Sequence, residues 1–220
     1  PPGAAKGVEE ALLPQLKPGV NELGVSRRGT LFAHDLIKVS CRHAYQNAQI
    51  KLALYVGNKS ASGALTAAAD APIAFVPDVS YLKLTAGPAA PSIAPGAQEV
   101  YGWTGECMAP FAEVPEVRLS FVAGGVAYRY PLRLPVVASG FCNPTSFPGG
   151  EFLPKWEALA GDDREATVTF AAAGGKLDGA AFAKARDDVL VKGLKMGLCP
   201  GAVPGFEGRI TVRAAATRCT

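Results

Sequence analysis

Histidine is nearly missing from this 220-residue sequence, which has only His34 and His43. A His-rich metal centre therefore has almost no ligands to draw on. The five cysteines are Cys41, Cys107, Cys142, Cys199 and Cys219. They contain no CxxC pair, and an odd number at wide spacing fits neither a zinc site nor a disulfide framework. They read as free thiols in a reducing compartment. No apolar run approaches the roughly 20 residues of a membrane-spanning helix, and no basic-then-apolar leader is present. GxSxG, HExxH, GxxxxGK[ST] and GxGxxG are all missing. The nucleophile elbow, zinc-protease helix, phosphate loop and dinucleotide loop therefore have no sequence support. Charged residues are only 19% of the chain, and 22 basic against 19 acidic residues leave +3. That balance lacks the clustered Lys and Arg of a nucleic-acid binder.

Turn formers and apolar residues are plentiful. There are 25 glycines, 18 prolines and 49% apolar residues. So many breakers disfavour long helices and favour short strands joined by turns. The chain opens Pro-Pro-Gly without an initiator Met and reads as a fragment of a longer protein. Residues 1–28, rich in Pro, Gly and Ala, read as a flexible linker.

From Thr30 onward the apolar pattern has period two. Ile37, Val39 and Cys41 alternate with polar neighbours, as do Ile50, Leu52, Leu54 and Val56. Leu82 and Leu84 follow, then Val117, Leu119 and Phe121, then Val126, Tyr128, Tyr130, Leu132 and Leu134. Alternation sends one set to a core and the other to water. Turn signals at Gly57-Asn58, Pro77-Asp78, Pro95-Gly96 and Gly124-Gly125 separate the runs. The expectation is mainly β: an Ig-like antiparallel β-sandwich over residues 29–138. After a connector at 139–150, Phe152, Trp156 and Leu159 mark one face of a short helix over 151–160. Pro154 is then expected in its first turn, where a missing N–H does no harm. Residues 167–171 and 208–214 read as strands, and Asp178 as the N-cap of a second helix ending at Arg186. Residues 139–220 thus form a small α+β unit.

Residue chemistry gives no convincing active site. Cys41 and His43 share a strand face, so a Cys–His dyad is conceivable, but packing at a strand edge is the simpler account. Asp162-Asp163 and Asp187-Asp188 read as solvated charges. A binding module, with no enzyme activity, no cofactor and no metal, is the stronger class.

The run Leu52–Ser60 (LALYVGNKS) resembles the FxFYGNKT segment of the alpha-adaptin appendage, the "ear" of the plasma-membrane clathrin adaptor. Four further stretches match that family in order. They are Thr30–Lys38 (its LFENxLLQ), Pro95–Gln98 (its GGAQ), Leu132–Val136 (its KLPI) and Glu151–Leu159 (its DFFQRWKQL). The resemblance runs over roughly residues 28–220. It implies a sandwich followed by an α/β platform and a non-enzymatic adaptor role in clathrin-mediated endocytosis. The implied location is the cytoplasm at plasma-membrane coated pits. The partners it implies are accessory proteins carrying DPF/DPW, FxDxF or WxxF motifs, with other adaptor subunits joined through a trunk outside this chain. No nucleic acid and no membrane insertion are implied.

By the same resemblance the platform pocket centres on Trp156, with Lys155, Leu153 and Glu165 around it. The sandwich site takes its aromatic from Tyr55 and its amide from Gln98. Leu153 replaces a Phe of the family and loses aromatic surface. The family's platform continues past the position of Cys219, so the platform here is expected to be incomplete.

The residues themselves are compatible with these roles. An indole offers a wide face to a peptide aromatic, and a cation beside it can pair with an Asp. Tyr55 falls on the solvent side of its strand, and Gln98 can bond an extended backbone. An outward Tyr is equally ordinary sheet surface, and a Trp on an apolar helix face is equally a core residue. The rivals are the ear of another coat subunit such as gamma-coatomer, a secreted Ig-like module, and a hydrolase using Cys41 and His43. A sugar on the Asn58-Lys59-Ser60 sequon would favour the secreted module.

Overall fold

The computed structural model describes residues 22–145, 149–158 and 179–197. Contacts divide the chain after Phe141 into two compact units. In the first, ten strands follow in chain order: β1 (Arg28–Ala33), β2 (Ile37–Gln46), β3 (Gln49–Asn58), β4 (Leu65–Ala67), β5 (Ala74–Phe75), β6 (Leu82–Ala86), β7 (Ser92–Ile93), β8 (Gln98–Cys107), β9 (Glu116–Ala123) and β10 (Val126–Arg133). They form two sheets, ordered β1-β2-β3-β8-β6 and β10-β9-β4-β7, with β5 also on β9. Every pairing is antiparallel.

The period-two pattern builds the core. Ile37, Val39 and Cys41 of β2, Ile50 to Val56 at alternate positions of β3, and Tyr101 and Trp103 of β8 are buried. They join Val117, Leu119 and Phe121 of β9 and Tyr130 and Leu132 of β10 in one cluster. The architecture is therefore an antiparallel β-sandwich. Its apolar burial is the main stabilising term, since each such side chain contributes about 1.5–3 kcal/mol on leaving water.

Two expectations about this unit change. The linker does not reach residue 28: residues 22–26 are helical and Leu23 is buried in the core at 5% exposure. Apolar Leu23 binds this segment to the sandwich, and that burial outweighs the local Gly content. Gly57-Asn58 is not a turn but the last two residues of β3. The Gly-Asn pair satisfies the composition of a turn, yet Gly57 pairs with both Lys38 and Gln98 in the sheet.

The incoming and outgoing segments meet at the end of β2. The His43 ring N–H donates to the Leu23 carbonyl at 3.0 Å, and the His43 backbone N–H donates to Arg27 O at 3.0 Å. The Arg27 guanidinium lies over the Tyr45 ring at 5.2 Å. Tyr45 also meets the 3₁₀ turn Ala138–Phe141, edge-on to Phe141 at 4.8 Å. Gly140 makes this approach possible, because a Cβ there would lie 2.5 Å from the tyrosine ring.

In the second unit α1 covers Gly149–Ala158 and α2 Gly179–Arg186, and α2 runs on into a π-helical stretch, Asp187–Gly193. Asp188 accepts from Lys184 at 2.6 Å and Lys192 at 2.8 Å. These hydrogen bonds hold its carboxyl down to about 2. Helix α1 starts two residues before the expected Glu151, so Pro154 lies inside it and not in its first turn. The glycines at 149 and 150 carry the opening turn instead. The strands expected at 167–171 and 208–214, the cap at Asp178, and Leu159 lie outside the described residues.

Candidate functional site

Tyr55 and Gln98 are 43 positions apart in sequence, and sheet pairing brings them together. Tyr55 of β3 pairs with Val100 of β8, and Gly57 pairs with Gln98. Paired residues share a face, so Tyr55, Gly57, Gln98 and Val100 all lie on the outer face of the five-stranded sheet. Tyr55 and Gln98 are diagonal neighbours, about 7–8 Å apart by sheet geometry. Tyr55 is half-buried and Gln98 exposed, while Val100 is 48% exposed. The paired residues Ala53 and Gly102, next along the strands, are small and leave the tyrosine ring accessible from that side.

A tight turn delivers Gln98. The Ala97 N–H donates to Ala94 O at 3.0 Å, and Gly96 has φ 69°. Pro95 at the second position and a positive-φ Gly at the third define a type II turn. Beyond it β8 has an incomplete border. Asn58 N–H donates to Ala97 O and Cys107 N–H to Ala48 O, so odd-numbered residues of β8 bond β3. Even-numbered ones face β6, and Gly87 N–H to Gly102 O at 2.8 Å is the last rung. Past Gly87 the chain leaves the sheet; the Tyr101 hydroxyl donates to Ala90 O at 3.0 Å. The backbone N–H and C=O of Gln98 and Val100 therefore point to a side where no described strand lies. An aromatic ring, a side-chain amide and two free backbone rungs are thus adjacent. That set can hold an extended peptide.

Three participants were not found by sequence reasoning. Val100 pairs with Tyr55, and Lys38 and Arg42 of β2 flank Tyr55 on the same face, because Ser40 is its β2 partner. Both cations are exposed. Their outward direction was legible in the alternation of β2; the register that sets them beside Tyr55 was not.

The residues assigned to the platform are less closely assembled. Trp156 is half-buried and stacks on Phe152, with ring centroids 5.5 Å apart and planes at 29°. Leu153 is 44% exposed and Lys155 is exposed on the same helix. Glu165 lies outside the described residues.

The rival chemistries lose their footing. Cys41 is buried, and desolvation pushes its thiol up to about 11. Burial pushes the His43 imidazole down to about 4, against the raising effect of the Leu23 carbonyl. A nucleophilic cysteine needs a depressed pKa, and burial moves Cys41 the other way. Asn58 is 3% exposed, and its Nδ2 donates to Gly63 O at 2.8 Å and Ile93 O at 3.0 Å. A sugar on that nitrogen would break this bonding and have to enter the core, which removes the observation that would have favoured a secreted module. Among the described residues no cluster of metal-ligating side chains occurs and no helix is long and apolar enough to cross a membrane.

No protein-family model matches the chain. Among curated proteins it is 30% identical over 142 residues to the AP-2 complex subunit alpha-2 of Dictyostelium discoideum. It is 26% identical over 133 residues to the AP-2 complex subunit alpha-1 of Arabidopsis thaliana. These matches cover 64% and 60% of this chain but 14% and 13% of the two relatives, so the chain spans about a seventh of their length. Among solved structures, the GAE domain of yeast GGA1 aligns with a TM-score of 0.39 at 12% identity, covering 47% of this chain and 94% of that one. The GAE domain of GGA2p from Saccharomyces cerevisiae aligns at 0.35 and 15%, covering 47% and 91%. Scores this low carry no functional parallel. By sequence, the chain resembles the alpha subunits of AP-2 complexes.

Proposed function

We propose that the chain is an adaptor appendage whose sandwich binds short extended peptides of accessory proteins, of the WxxF type, in clathrin-mediated endocytosis at the cytoplasmic face of the plasma membrane. The observation that carries this reading is the meeting of Tyr55 and Gln98 on one sheet face beside the open rungs of β8. The ring takes a peptide aromatic, the amide takes a backbone group, and Lys38 and Arg42 favour ligands with acidic neighbours. The likeness to AP-2 alpha subunits supports the adaptor role. Such a contact is small, so a single motif binds weakly and several in tandem bind well.

The test is calorimetric titration with a WxxF peptide. Tyr55→Ala is expected to weaken binding by about 1–2 kcal/mol, the loss of one aromatic anchor, with an unchanged melting curve. Equal affinity of variant and parent removes Tyr55 from the site.

Helix α1 supports a second peptide surface for DPF/DPW and FxDxF motifs. Trp156 is only half-buried, rests on Phe152, and has exposed Leu153 and Lys155 on its helix. Glu165 is proposed as a further member on the family resemblance alone.

A further inference from the structure

Asn58 grips both ends of the turn that presents Gln98. Its side-chain N–H donates to Ile93 O at 3.0 Å, the carbonyl just before the turn. Its backbone N–H donates to Ala97 O at 2.9 Å, the carbonyl just after it. The second side-chain N–H goes to Gly63 O at 2.8 Å, and Oδ1 accepts from Ser60 N–H at 2.9 Å. Every polar group of this buried amide is thereby used, and a buried amide with all its bonds made is rigid. Asn58 lies on the inner face, whereas its neighbour Gly57 lies opposite Gln98 on the outer face. Asn58 therefore cannot touch a ligand held by Tyr55 and Gln98.

We infer that Asn58 is a positioning residue: by clamping Ile93 and Ala97 it fixes the Pro95-Gly96 turn, and so sets where the Gln98 amide meets the peptide. This rests on the reading of the outer face as a peptide site. A type II turn held only by its own hydrogen bond can open, since many turns lack that bond altogether. If the turn opened, Gln98 would be presented at the wrong height and angle. The bond to Ala97 O comes from the backbone and survives any substitution but proline, so the side-chain bond to Ile93 O is the part of the clamp that requires asparagine and that Asn58→Ser removes.

The experiment is a double-mutant cycle on WxxF-peptide affinity, with Asn58→Ser, Gln98→Ala, Tyr55→Ala and the pairs. Asn58→Ser is expected to weaken binding about five- to tenfold, the worth of one well-placed hydrogen bond. It should have no further effect when Gln98→Ala is already present, but its full effect beside Tyr55→Ala. A merely structural role would weaken binding by the same factor in every background, and that result overturns the inference. Should Asn58→Ser fail to fold, Gly96→Ala replaces it in the same cycle. A Cβ there meets nothing within 4 Å, so that change strains the turn alone.

The side-chain NH₂ resonance of Gln98 in the peptide-free protein supplies a second readout. It should shift in the Asn58 or Gly96 variant, and an unmoved resonance overturns the inference even if the peptide site stands. If neither Gln98→Ala nor Tyr55→Ala changes WxxF affinity, the peptide site itself is refuted, and the positioning of Gln98 is then judged on its resonance alone.

Discussion

His43 shows what one buried ring can demand of the solution around it. A carbonyl can only accept, so the Nε2 facing Leu23 O carries the hydrogen, and Nδ1 is left buried without a partner. Protonation would place a second N–H where no acceptor waits. Desolvation is accordingly the largest cause holding the pKa down at about 4 against 6.5 in the unfolded chain, and Arg27 lowers it further. The unfolded state thus binds the proton more tightly. Stability from the neutral ring is fully present above about pH 6.5 and is lost as pH falls towards 4. Between pH 7 and 4.5 that loss should be about 2–3 kcal/mol. Urea denaturation of the parent and of His43→Gln at both pH values isolates it from carboxylate effects, and the variant should lose that much less. Parallel losses in the two proteins would show that His43 titrates normally.

Among the elements, α1 has two faces with different duties. Phe152 and Trp156 are one turn apart and stacked, whereas Leu153 and Lys155 point to water. A half-open indole braced by a phenyl ring suits a ligand platform better than a core. Trp156→Ala should therefore abolish binding of a fluorescent FxDxF peptide, with a stability loss well short of the roughly 3–5 kcal/mol of a core Trp deletion. Anisotropy titration beside a thermal melt checks both halves, and a large melt shift would make Trp156 a structural residue.

The elements also show what could be read from sequence. The inward faces of β2, β3 and β9 were legible, because eight to ten residues suffice to establish a period; in β10 the reading holds at Tyr130 and Leu132 but not at Val126, which starts the strand 43% exposed. Strands β5 and β7 were not, since two residues have no period. Gly57-Asn58 looked like a turn because its composition is that of one; the contrary fact, a bond from Asn58 to Ile93 35 positions away, is not local. The site followed the same rule. That Tyr55 faces out came from its strand alone, but its proximity to Gln98, Val100, Lys38 and Arg42 depends on register, which no single strand encodes.

At the scale of the molecule, the sandwich extends beyond the span that periodicity suggests. Leu23 and Phe141 are both buried, at 5% and 4% exposure, outside the expected limits of 29 and 138. Removing two such side chains costs roughly 5 kcal/mol or more, comparable to the whole stability of a domain this size. A fragment of residues 22–141 is therefore expected to melt cooperatively with a β-type circular dichroism spectrum. A fragment of residues 29–138 should melt far lower or not fold. Equal melting of the two would show that the flanking segments contribute nothing.

The junction at β2 also bears on mechanical load. Tension along the chain would reach the sandwich at residues 22–27 and leave it at residues 137–141. Those segments are fastened to the same short stretch, one through His43 and the other through Tyr45. A pull on the two flanks therefore converges on one short stretch of β2, where His43 holds the incoming segment and Tyr45 the outgoing one. Tyr55 and Gln98 lie on the opposite face of the sheet from His43 and Tyr45, so the two tethers are fastened away from the face that carries the proposed peptide site.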